Sequence, residues 1–265
     1  MADTIIHLSL QWKITLYYLV ILAGIIITAK MISLVIERER VTHPGFVIFL
    51  FFIAPVLSFH SMKDVKPTSE KMRRRAGKTV LLLFCLSAVY SVLIPEMQGF
   101  SQTVRSYLAI WPFWLLIETI QAVVELSWLA FGYGVPGISN RPLVAGSVAE
   151  FWGRRWNRLF GDWLFRVCFR PLSRNPYGAL FFTFLVSALI HELLVSVPLW
   201  LVYRVNCFGW MVFYFVIQAV AVVVERKWLR KNPFLNRCFT WLSVVGPVPL
   251  ILNRGTLLIF HLSSS

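Results

Sequence analysis

Apolar residues run along this chain in long blocks, without the alternation of a half-buried strand or the narrow stripe of a soluble helix. Blocks of about 17 to 25 such residues are what a helix needs to cross a ~30 Å hydrocarbon core. The pattern predicts membrane helices at about 14–36, 79–95, 106–131, 177–201 and 239–260. Two shorter runs, 46–60 and 210–224, span only if their ends snorkel, the bilayer thins or neighbouring protein covers them. The expected fold is therefore an all-α polytopic membrane protein, a single integral membrane domain over 1–265 with about seven transmembrane helices. Pro55 in the second run, and Pro247 with Pro249 in the last, predict kinks or breaks, because proline removes a helix hydrogen bond.

Between the spans, the segment from Glu150 to Arg170 has a different rhythm. Trp152, Trp156, Leu159, Phe160, Trp163 and Val167 recur at spacings of three and four, while Arg154, Arg158, Asp162, Arg166 and Arg170 repeat every four. That pattern predicts an amphipathic helix lying in the headgroup plane. Such helices also anchor membrane proteins that have no active site, so the pattern alone leaves both readings open. Asn157 stands out as an uncharged amide amid arginines, able both to donate and to accept hydrogen bonds. Pro171, Pro176 and Gly178 end the segment and lead into the next span.

Composition agrees with a membrane protein: 58% of residues are hydrophobic and 15% aromatic, with a mean hydropathy of +0.70. A formal charge of +14 would suit nucleic-acid binding if it were spread over a soluble surface, but it is concentrated in loops. The loops 61–78, 132–176 and 225–238 hold seven, seven and five Lys or Arg, against two, one and one in 37–45, 96–105 and 202–209. This alternation puts the basic loops and the N-terminus on the cytoplasmic side. The membrane would be the endoplasmic reticulum in a eukaryote or the cytoplasmic membrane in a bacterium. The cluster Lys71, Arg73, Arg74, Arg75 and Lys78 reads first as an orientation determinant that attracts anionic headgroups, with a phosphate-bearing substrate as the alternative. Cys85, Cys168, Cys207 and Cys238 have neither zinc-ligand nor disulfide-framework spacing.

His191 and Glu192 lie inside the 177–201 block. Ionisable residues there are costly and are functional candidates by default, although a neutral, hydrogen-bonded packing histidine is the competing reading. His191 is about fourteen residues into the span, roughly 21 Å along the axis, and Ser187 lies one turn before it. A neutral imidazole can take a proton from an alcohol near pH 7. Glu192, pointing about 100° away on the same helix, reads as support.

The order FWGRRWN at Phe151 to Asn157, a Pro-containing turn, and an apolar helix bearing SALIHE at Ser187 to Glu192 resembles the membrane-bound O-acyltransferase superfamily. More narrowly it is similar to the wax synthase-like branch, with the strongest likeness over about residues 145–200. The resemblance implies transfer of an acyl group from acyl-CoA, as co-substrate, to the hydroxyl of a lipophilic alcohol. It places the general base on His191 and a role in orienting or polarising the reacting groups on Asn157. Trp152, Trp156 and Glu192 would support the motif, and Arg154, Arg155 and Arg158 would meet the acyl-CoA phosphates. The expected partners are acyl-CoA, the alcohol and membrane lipids, with no nucleic acid, metal or bound cofactor; self-association is left open. A lipid or proton-coupled transporter using His191 and Glu192 is the rival reading, and a silent scaffold a third. No matched, broken helices in two halves favour the transporter.

Overall fold

The computed structural model describes residues 2–36, 57, 63–135, 137–229 and 231–263. The expected run at 46–60 with Pro55 lies outside the described residues, Leu57 excepted. In chain order the described elements begin with α1 (Ala2–Ile36), β1 (Lys63–Asp64) and α2 (Ser69–Ala88), which continues through a π-helical turn, Val89–Leu93, into Ile94–Met97. There follow α3 (Gln102–Leu108), α4 (Ile110–Ala130) and β2 (Tyr133–Gly134). A short α5 (Val148–Glu150), a π turn Phe151–Arg155 and α6 (Arg158–Leu164) precede the long α7 (Pro176–Tyr203). The chain closes with α8 (Trp210–Val224), α9 (Pro233–Val245), α10 (Val248–Ile251) and α11 (Arg254–Ile259).

Among the described residues, five stretches are long and apolar enough to cross a bilayer: Leu10–Ile36, Ser69–Met97, Ile110–Ala130, Pro176–Tyr203 and Pro233–Ile251. Much of their surface is apolar and exposed, with Phe84, Phe234 and Leu242 each more than 70% accessible, as lipid-facing helices require. This is an all-α membrane protein; the two-residue strands β1 and β2 form a small antiparallel ladder. The expected block 239–260 is corrected: it is three helices, α9 to α11, broken first at Gly246–Pro247, where the expected proline interruption falls, and again at Leu252–Asn253, where Asn253 caps α11.

Inside, α1, α7, α8 and α11 meet around Ile14, Val195, Leu199, Met211 and Leu258, all buried. The contact between α7 and α8 is fixed by Glu192, whose carboxylate is buried and points at the start of α8. Its Oε1 accepts hydrogen bonds from the backbone N–H of Gly209 (2.8 Å), Met211 (3.0 Å) and Val212 (3.3 Å). The Ser196 hydroxyl donates to the other oxygen and lies one turn further along α7. The first amides of a helix have no partner within it, and a carboxylate is a strong acceptor for them. Glu192, within the span, thus meets the partial positive charge of a helix N-terminus.

Replacing Glu192 by Ala strands these amides, which should cost at least about 2 kcal/mol. The expected outcome is a clearly lower unfolding temperature for the detergent-solubilised variant, with Ser196→Ala, which leaves the amide contacts in place, causing a smaller drop.

Candidate active site

The segment carrying Trp152 and Asn157 is not the continuous helix that its periodicity predicts between Glu150 and Arg170. It winds as a π turn through Arg155, opens into extended backbone at Trp156 (φ −98, ψ 135), and takes the left-handed conformation at Asn157 (φ 41, ψ 55) before α6 begins. A second π turn, Phe165–Phe169, follows. The break is held from outside. Asn140 N–H donates to the Arg155 carbonyl and Arg158 N–H to the Ile138 carbonyl, each at 2.7 Å, pairing 138–140 with 155–158. The intervening Ser139 is tied to α4: its N–H donates to Gln121 Oε1 (2.8 Å) and its hydroxyl to Glu118 (2.5 Å). Asparagine tolerates the left-handed region better than most residues. That explains an amide at this position before any chemistry is considered.

The N-terminal end of the segment is held by two acids. Glu225, buried at the end of α8, accepts from the N–H of Val148 (2.5 Å) and Ala149 (2.9 Å). The Ser147 hydroxyl accepts from Glu150 N–H (3.0 Å), and Glu150 accepts from Gly146 N–H (2.8 Å). Ser147 with Glu150 three residues on is the spacing of a capping box. The Gly146 amide, and then the Arg155 guanidinium, hold the Glu150 carboxyl below the usual carboxylate range against a partial burial that works the other way. Arg155 reaches Glu150 Oε1 through Nε (2.8 Å) and Nη2 (2.6 Å), and its Nη1 donates to the carbonyls of Asn140 and Arg141.

A cavity of about 640 Å³ opens between this segment, α7 and α8, and it is lined by Trp152, Arg154, Asn157, His191, Phe215 and Arg226 among others. His191 and Asn157, 34 positions apart in the chain, therefore face one space. His191 Nδ1 lies 2.8 Å from the Ser187 backbone carbonyl. A carbonyl can only accept, so this bond assigns the proton to Nδ1 and leaves the lone pair on Nε2. The partner of His191 is thus the main chain of Ser187, where spacing alone had pointed to the residue without saying which group. Phe215 packs against the imidazole, ring centroids 4.7 Å apart and tilted by 47°.

Trp152 is the hub of the aromatic wall. Its ring meets Phe184, Tyr214 and Phe215 at 5.6–6.2 Å, and its Nε1 donates to Gln218 Oε1 (3.1 Å). Gln218 in turn donates to the Ser243 carbonyl (2.8 Å). Trp156 stacks on Phe151, nearly parallel at 9°. Of the three arginines singled out from the sequence, Arg154 lines the cavity and is exposed; Arg155 is engaged by Glu150, and neither Arg155 nor Arg158 is among the lining residues. Arg226, on a further π turn, Glu225–Leu229, supplies a second basic side chain to the wall. Arg226 and Glu225 carry a weak sequence signal, the charges that close the 210–224 apolar run; Gln218 and Tyr214 carry none that periodicity could detect.

The arrangement can take a proton at Nε2 within an aromatic, largely apolar space, next to an amide that can donate or accept. Residues 135–216, which contain both residues, match the model of the family described as membrane bound O-acyl transferase. This shows the likeness to that superfamily, and the relatives most often named are long-chain-alcohol O-fatty-acyltransferases. The chain is 26% identical over 234 residues to a protein of Simmondsia chinensis named long-chain-alcohol O-fatty-acyltransferase, covering 80% of this chain and 64% of that one. It is 29% identical over 194 residues to an Arabidopsis thaliana protein named probable long-chain-alcohol O-fatty-acyltransferase 8, covering 62% of this chain and 54% of that one. A shorter match, 29% over 107 residues, is to diacylglycerol O-acyltransferase 1B of Glycine max, covering 38% of this chain and 20% of that one. The chain thus spans a little over half the length of the Arabidopsis relative.

Backbone and side-chain roles of Asn157 separate by substitution. Asn157→Gly keeps access to the left-handed region and should fold like the parent, whereas Asn157→Val should lose about 1–2 kcal/mol, read as a lower unfolding temperature. Glu225→Ala removes the acceptor of two amides, and hydrogen exchange at Val148 and Ala149 should accelerate about tenfold or more.

Proposed function

We propose that this protein is an acyl-CoA-dependent O-acyltransferase of the wax synthase-like kind, which esterifies a lipophilic alcohol within the membrane. The observation that carries the reading is His191, with its proton fixed on Nδ1 by the Ser187 carbonyl and its free Nε2 in a cavity shared with Asn157. The names of the relatives, acyltransferases acting on long-chain alcohols, support the same chemistry.

In this reading His191 Nε2 takes the hydroxyl proton as the alcohol oxygen attacks the thioester carbonyl. Asn157 orients the reacting groups or donates to the developing oxyanion. Collapse of the tetrahedral adduct breaks the C–S bond, releasing the ester and CoA thiolate, and the imidazolium returns its proton to sulfur. The step needs neither a metal nor a bound cofactor, and no acyl-enzyme forms. Arg154 and Arg226 on the cavity wall, rather than Arg155 and Arg158, are the side chains suited to CoA phosphates. Trp152 and Phe215 hold the imidazole wall, and Glu192 and Glu225 hold the elements that bear it.

The proposed topology has about seven spans, with the short runs 46–60 and 210–224 included and the basic loops and N-terminus cytoplasmic. Acyl-CoA then arrives from the cytoplasm and the alcohol laterally from lipid. The test is a comparison of neutral lipids in cells expressing the parent chain or His191→Ala, both quantified in membranes. A new ester should appear with the parent and fall by about 10²–10⁴-fold in the variant. Equal ester from both sinks the role of His191, and pH-dependent substrate movement across sealed vesicles without any ester favours transport.

A further inference from the structure

A second cavity, of about 540 Å³, lies between the first turns of α2, the end of α4 and the β1–β2 ladder. It shares no lining residue with the cavity at His191. Four cations line it, Lys71, Arg74, Arg75 and Lys78, with Glu125 as the acid among them. Two of the four are bound to α4: Arg75 pairs with Glu125 and Lys78 reaches Glu118 at 3.8 Å. Among the described residues, no acid or hydrogen-bond acceptor engages the side chains of Lys71 and Arg74, and both are exposed.

The floor is built by the chain itself. Lys63 pairs with Gly134 and Asp64 with Tyr133, and Val65 N–H donates to the Gly132 carbonyl (2.8 Å). Gly134 packs closely on this floor: a Cβ there would sit 2.7 Å from Val65 Cγ2, so that side chain would have to shift. The two unengaged cations are thus held over a fixed concavity and not on a loose tail.

The same face of α2 continues into lipid. Lys71, Arg74, Lys78 and Leu81 follow one another at spacings of three, four and three, which keeps them on one side of a helix. Leu81 is 61% exposed and Phe84, one turn on, 72%. Three residues of rise separate Lys78 from Leu81, roughly 4.5 Å, so a phosphate at the cations brings attached acyl chains onto an apolar stripe. A soluble anion would have no use for that stripe.

We propose that this cavity binds the phosphate headgroup of an anionic membrane phospholipid, with Lys71 and Arg74 as its cationic contacts and the Leu81–Phe84 face of α2 against its acyl chains. Arg75 and Lys78, neutralised by α4, set the shape of the site and leave the excess positive charge on the other two. The site is independent of the chemistry at His191.

The test uses the purified full chain in neutral detergent with dioctanoyl phosphatidic acid as the probe, binding read by native mass spectrometry. Lys71→Ala with Arg74→Ala should weaken phosphatidic acid binding about tenfold or more, whereas the charge-preserving pair Lys71→Arg with Arg74→Lys should retain it. Arg170→Ala with Arg174→Ala, exposed basic residues outside the cavity, should leave it unchanged. Dioctanoyl phosphatidylcholine should bind about tenfold more weakly than phosphatidic acid, and inorganic phosphate in large excess should not displace the lipid. Equal weakening by the Arg170 and Arg174 pair, or equal binding of the zwitterionic lipid, overturns the proposal, as does displacement by inorganic phosphate. Loss of binding in both Lys71/Arg74 pairs overturns it too, provided their unfolding temperatures without lipid match the parent.

Discussion

The wall of the cavity at His191 depends on how two helix starts find acceptors for their free amides. The chain supplies carboxylates from a neighbouring element. Glu192 of α7 takes the amides at the start of α8, and Glu225 at the end of α8 takes those at the start of α5. The three elements form a sequence in which each is tied to the next through a charged acceptor and a helix N-terminus. His191 and Phe215 are carried by the first joint, and Trp152 and Asn157 by the second. Each acid therefore faces the partial positive charge of a helix N-terminus.

The two joints also divide the work of placing the reactive groups. The imidazole is set by its own helix, through the carbonyl one turn earlier, and its tautomer follows from local geometry. Asn157 is set from a distance, through Ser139 and the α4 side chains Gln121 and Glu118. A perturbation in α4 thus reaches the asparagine without touching the histidine.

How much of this was legible in the sequence differed by element for physical reasons. The blocks at 14–36, 106–131 and 177–201 gave helices because burial in hydrocarbon forces backbone self-satisfaction wherever the run is long enough. The 210–224 run also forms a helix, Trp210–Val224, and it extends through the π turn Glu225–Leu229. The 150–170 segment misled because a π turn and one extended residue leave the spacing of its aromatics almost intact, so periodicity could not register the break at Trp156 and Asn157. Glu192 could be flagged as a cost inside an apolar run, but not its acceptor role, because the amides it binds come from 17 to 20 residues away. Gln218 and Glu118 were invisible for the same reason: their partners are set by tertiary packing.

The π turn at Phe151–Arg155 fixes the spelling of the segment as well as its shape. A π turn holds one more residue than the α-helical turn it replaces. Deleting one residue between Trp152 and Asn157 would remove that extra residue, letting the turn close as α-helix with the residues on either side kept in register. Inserting one has no such outlet: at about 100° per residue it would turn Asn157 away from the face on which Trp152 meets Gln218. The interval between the two residues is thus asymmetric, more tolerant of losing a residue than of gaining one.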